Sequence, residues 1–256
     1  MAEVEKKQFS YHALCREQEI GVVLPDDIIV SKSEAFEIAD LILRMTDLFQ
    51  ELDRIKKIVI DELRICQQYN CPPRFDTSAR LSKQLVRTMQ LLTGIDGQTG
   101  LKRIINNLTL RTNLTSGMKG LIIKFRIPLD IIETQLRMTI DHIFQKKSQY
   151  DKLGSDCGHT GNVGKDEVLG ILEKCVQMEN YAYDFFYVGT NVLITHVMMA
   201  NPGLAPEKLF AEAKNMLVKF AKSETQVQQT VEFMMASLDP SSRFVVDNSE
   251  DIIFNL

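Results

Sequence analysis

The residues best equipped for covalent or metal chemistry are few and scattered. Cys157 and His159 stand two apart in a glycine-rich stretch, and a thiolate beside an imidazole is the least that cysteine catalysis needs. No nearby residue is spaced to orient that histidine. His12 with Cys15 and Cys66 with Cys71 are the other close soft-ligand pairs, and a zinc site needs two such pairs to converge. Gly161-Asn-Val-Gly164-Lys165 offers glycine amides and a lysine, which together can cradle phosphate. A Walker loop, however, needs glycine where His159 stands and Ser or Thr where Asp166 stands. His142 and His196 fall inside helical patterns with apolar neighbours and read as core histidines. The adjacent acids Asp26 with Asp27, Asp61 with Glu62 and Asp166 with Glu167 would diverge by about 100° on a helix, so they read as solvated surface. These residues give no catalytic assignment, no metal and no cofactor, and the expectation is a protein that is not an enzyme.

The charges are more informative. Residues 77–129 carry Arg80, Lys83, Arg87, Lys102, Arg103, Arg111, Lys119, Lys124 and Arg126 against Asp96 alone, a net of +8 between flanks of -5 over 1–76 and -7 over 130–256. Such segregation predicts a positive region on an acidic protein, able to attract nucleic-acid phosphate or anionic lipid headgroups. Asn106, Asn107, Thr109, Thr112, Asn113, Thr115 and Ser116 add neutral donors for phosphate oxygens, which favours nucleic acid over membrane. Phe125 is the single aromatic residue of the segment, so contact with the backbone is expected rather than base stacking. The competing reading is that the segment packs beside acidic flanks of its own chain or of a neighbouring subunit.

These side chains must be held by helices. The stripe Ile38, Leu41, Met45, Leu48, Leu52, Ile55, Val59 advances in steps of three and four, so it lies on one face of a helix from Ser33, the expected cap, to Tyr69, where Cys71-Pro72-Pro73 stops it. Asp76, Thr77 or Ser78 could cap a second helix with the face Leu81, Leu85, Met89, Leu92, closed by the Gly94–Gly100 loop. Short helices are expected over 101–114 and 116–127, then a new one with Pro128 in its first turn running to Tyr150. Gly154–Gly164 reads as an interhelical hinge. Lys165–Ala200 is apolar on several sides, which predicts a buried central helix rather than a membrane span. Pro206 begins the next helix, and Ser223 caps a last one ending near Ser237.

The expected fold is therefore all-α, an irregular bundle of about eight to ten helices with room for two subdomains. An N-terminal arm (1–30) precedes a helical part (31–153) that holds the basic segment. A second helical part (165–237) and a tail (238–256) follow. At 256 residues with 45% hydrophobic and 25% charged content, the chain is long enough to bury a sizeable core and is not a disordered or low-complexity protein. Five cysteines in no paired framework, behind a charged N-terminus, suggest a reducing, cytoplasmic setting, or a virion interior if the source is viral.

Three functional classes follow from this. The first is a helical assembly protein, nucleocapsid- or matrix-like, that contacts RNA or an anionic membrane through the basic segment and forms homo-oligomers through its arm or tail. The second is an adaptor that accepts partner helices along the Ile38–Val59 seam. The third is an enzyme with a site assembled from distant residues.

Overall fold

A computed structural model describes residues 29–73, 80–95, 98–153 and 163–239. The arm up to residue 28, the candidate caps Asp76, Thr77 and Ser78, the glycine loop with Cys157 and His159, the His12 and Cys15 pair, and the tail from residue 240 lie outside the described residues. Among those residues there are seven helices: α1 (Lys32–Tyr69), α2 (Leu81–Thr93), α3 (Leu101–Thr109), α4 (Ser116–Leu153), α5 (Val163–Ala200), α6 (Pro206–Val218) and α7 (Glu224–Ser237). A two-residue antiparallel ladder joins β1 (Gly94–Ile95) to β2 (Gln98–Thr99), with Gly94 opposite Thr99. The fold is all-α.

Three expectations about boundaries need correction. The cap of α1 is Ser31, not Ser33: Ser31 Oγ accepts from the Glu34 N–H at 3.3 Å while the Glu34 carboxylate accepts from the Ser31 N–H at 2.7 Å. Only Ser31 has a glutamate three residues on, and this reciprocal pair moves the start two residues earlier. The segments 116–127 and 128–150, expected as two helices, are one helix with Pro128 inside it. Proline there removes one N–H and leaves the Lys124 carbonyl without its helical donor, a local cost. Against it stands an apolar face that crosses the proline without a break, with Met118, Leu121, Phe125, Leu129, Ile132 and Leu136 all buried. That merger leaves seven described helices, fewer than the eight to ten expected, and the helix expected over 101–114 ends at Thr109.

The core is organised around α5. Residues 182–194 are buried on every side, because α1, α4, α6 and α7 all pack on this helix. Gly189 permits a close approach to α1, since a Cβ there would stand 2.6 Å from Ile42 Cδ1. Phe49 of α1 meets Tyr183 of α5 at 5.1 Å and Phe233 of α7 at 4.5 Å, ring centre to ring centre, while Phe125 of α4 meets Phe185 of α5 at 4.7 Å. Aromatic pairs in such tilted geometry add to the burial of their area. The Ile38–Val59 stripe is wholly consumed in this core, so it presents no open seam to a partner helix.

Candidate anionic-partner interface

Helices α2, α3 and α4 carry the basic segment, and α2 and α3 pack on both α1 and α4. Their register decides which cations face acids of the same chain. Arg80 Nη1, just before α2, lies 4.0 Å from Asp61 Oδ2, and Arg87 Nε of α2 lies 3.2 Å from Glu51 Oε1, so both cations meet acids of α1. Glu51 is itself buried and also accepts from Arg54 and Gln84. Lys102 of α3 reaches Asp130 at 2.5 Å and also Glu133, both on α4. Burial works against the Lys102 charge, but the two carboxylates outweigh it and hold its pKa above the usual lysine value. Arg111 pairs with Glu37 at 2.5 Å, and Arg126 with Asp130 at 3.3 Å one helical turn away. Five of the nine predicted cations are thus engaged internally.

The other four differ. Lys83 on α2, Arg103 on α3, and Lys119 and Lys124 on α4 meet no acid among the described residues. Lys83, Arg103 and Lys119 are exposed and Lys124 is half-buried. Lys83 and Arg87, four residues apart, line an open groove of about 430 Å³ on α2 with Ser82, Val86 and Gln90. On α4 the cations stand beside exposed isoleucines: Ile123 keeps 62% and Ile127 52% of its surface accessible. The same helix buries Phe125 completely, which removes the segment's single aromatic residue from the surface.

Two acids proved structurally central without any signal in the charge pattern. Glu34 is buried and ties the start of α4 to the start of α1: its carboxylate accepts from the Thr115 N–H at 2.8 Å and the Thr115 hydroxyl at 2.9 Å, while Thr115 Oγ1 caps α4 by accepting from the Met118 N–H at 3.1 Å. Burial opposes its charge, yet these bonds and those to Ser31 prevail and hold the carboxyl below its usual range. Ser31-x-x-Glu34 could have been found from sequence as a capping box, but the second role, toward Thr115, depends on tertiary contact. Glu179 on α5 is fully buried and meets Lys56 Nζ of α1 at 2.6 Å, with Asp53 3.6 Å from the same ammonium. Loss of water dominates there and pushes the Glu179 carboxyl up to about 7 despite the lysine.

The remaining chemistry is quiet. Burial pushes the Cys66 and Cys175 thiols up to about 12, which suits space-filling rather than nucleophilic cysteines. His142 and His196 are half-buried on α4 and α5. Among the described residues no group of three His, Cys, Asp or Glu is arranged to hold a metal ion, and no helix is long and apolar enough to cross a membrane. Compared with protein-family models, curated proteins and solved structures, the chain matches none.

Proposed function

We propose that this chain is a non-enzymatic helical binding and assembly protein that contacts a phosphate-bearing partner, nucleic acid or anionic lipid, through the cations of the 77–129 segment that meet no acid among the described residues. The observation that carries this reading is the division among the nine cations. An internally neutralised segment would pair nearly all of them, whereas Lys83, Arg103, Lys119 and Lys124 find no acid among the described residues. Holding cations at surface positions without partners leaves their field available to a ligand. Lys102 and Arg111 have a different part: they brace α3 against α4 and the 110–115 loop against α1. Self-association through the 1–30 arm or the 238–256 tail belongs to the same reading, and burial of the Ile38–Val59 stripe weighs against the adaptor alternative.

The test is a salt titration of the intact protein against a 20-nucleotide single-stranded RNA and against phosphatidylserine-containing vesicles. Affinity for at least one of them should fall steeply as salt rises from about 50 to 500 mM, because bound cations release counterions or lose attraction to the charged surface. No binding to either at the lower salt would contradict the proposal.

A further inference from the structure

The outer face of the first half of α4 has a pattern that phosphate binding alone does not require. On a helix of 3.6 residues per turn, Arg126, Lys119, Ile123 and Ile127 fall in that order across an arc of about 100°, with Gly120 next and Lys124 beyond it. Two exposed isoleucines are therefore bordered by Lys119 and Arg126 on one side and by Lys124 on the other. No acid occurs from residue 116 to 129, and Asp130, the first to follow, is already held by Lys102 and Arg126. Among the described residues nothing lies within 4 Å of a Cβ built on Gly120, so none of them covers this part of the face.

Resting on the proposal that the segment contacts phosphate, we infer that its partner is an anionic bilayer surface. Ile123 and Ile127 enter the boundary between headgroups and acyl chains, while Lys119 and Lys124 meet lipid phosphates and carboxylates. Exposed branched aliphatic side chains offer a nucleic-acid backbone nothing, and Phe125, the one ring in the segment able to stack on a base, is fully buried in the core. A bilayer interface uses both components: the aliphatic groups lose water to the acyl chains, and long cationic side chains at both edges extend back to the headgroups. The face is a convex ridge on a single helix, which a deformable lipid surface can cover without a shaped groove.

The experiment uses the full chain with vesicles of phosphatidylcholine containing 30% phosphatidylserine, neutral phosphatidylcholine vesicles, and the 20-nucleotide RNA. Wild type should bind the anionic vesicles at least tenfold more tightly than the neutral ones. The double variant Ile123→Ser with Ile127→Ser should lose tenfold or more of vesicle affinity with an unchanged circular dichroism spectrum. Gly120→Leu, which enlarges the apolar strip into open space, should gain threefold or more. Because the chain has no tryptophan, Ile123→Trp places a single indole on the face, and its emission should shift to the blue and be quenched by brominated acyl chains when anionic vesicles are added. Vesicle affinity unaffected by the serine pair, or an indole that stays water-exposed on bound protein, would overturn the inference. Binding to RNA without binding to vesicles would overturn it while leaving the phosphate-contact reading intact. Binding to neither would overturn both.

Discussion

At the scale of single residues, two buried glutamates contribute to how stability responds to pH, and they act in opposite directions. Glu34 is held below its usual pKa by the hydrogen bonds of Ser31 and Thr115. The unfolded chain therefore binds its proton more readily, so Glu34 stabilises the fold above an unfolded value of about 4.5 and loses that contribution as pH falls through its lowered folded value. Glu34→Ala should cost about 3 kcal/mol in denaturant unfolding at pH 7, since it strands the Thr115 N–H and removes a capping box. Glu34→Gln should flatten the acid limb of the stability curve. Glu179, pushed up to about 7, binds its proton more tightly in the folded state, so its contribution falls as pH rises from about 4.5 to about 7. Urea titrations at pH 5 and pH 8 should show that Glu179→Gln removes part of this decline. An unchanged pH dependence in that variant would mean that Glu179 titrates normally. Lys56→Ala should cost about 3–5 kcal/mol, because it leaves a carboxylate without its counter-ion between α1 and α5.

At the scale of elements, legibility followed the range of the interaction. The α1 stripe, the all-round apolar character of α5, Pro206 at the start of α6 and Ser223 as the cap of α7 are local or periodic signals, and each appears in the structure as the spacing implies. Pro128 departs from its local preference for a helix start because that preference competes with a buried face that runs from Met118 to Leu136, and burial against α5 prevails. The charge segregation was legible as composition, but which cations are neutralised depends on the rotation of α2, α3 and α4 about their axes, which sequence spacing alone does not reveal. The exposed Ile123 and Ile127 were hidden for the same reason, since both belong to a run of apolar residues in which Leu121, Ile122 and Phe125 face inward. Leu48 lies at the centre of the α1 stripe with no exposed surface. Leu48→Asp should therefore destabilise the monomer by about 4 kcal/mol or more, with loss of helical circular dichroism at a temperature where wild type is folded. Retention of wild-type thermal stability would mean the seam is not buried.

At the scale of the whole molecule, the acids and bases are sorted by sequence and then partly recombined by folding. Glu37, Glu51 and Asp61 of α1 and Asp130 and Glu133 of α4 draw five of the nine cations into internal pairs. Reversing Lys102 or Arg111 would break contacts that hold α3 and the 110–115 loop in place, so such variants confound binding with structure. The informative set is Lys83, Arg103, Lys119 and Lys124. The most direct measurement is the affinity of the intact protein for phosphatidylserine-containing vesicles at low salt, before and after all four are changed to glutamate. The unpaired-cation reading with its lipid partner predicts at least a tenfold loss, with circular dichroism and melting temperature close to wild type because none of the four is paired with an acid among the described residues. Undiminished binding by the folded quadruple variant would contradict it.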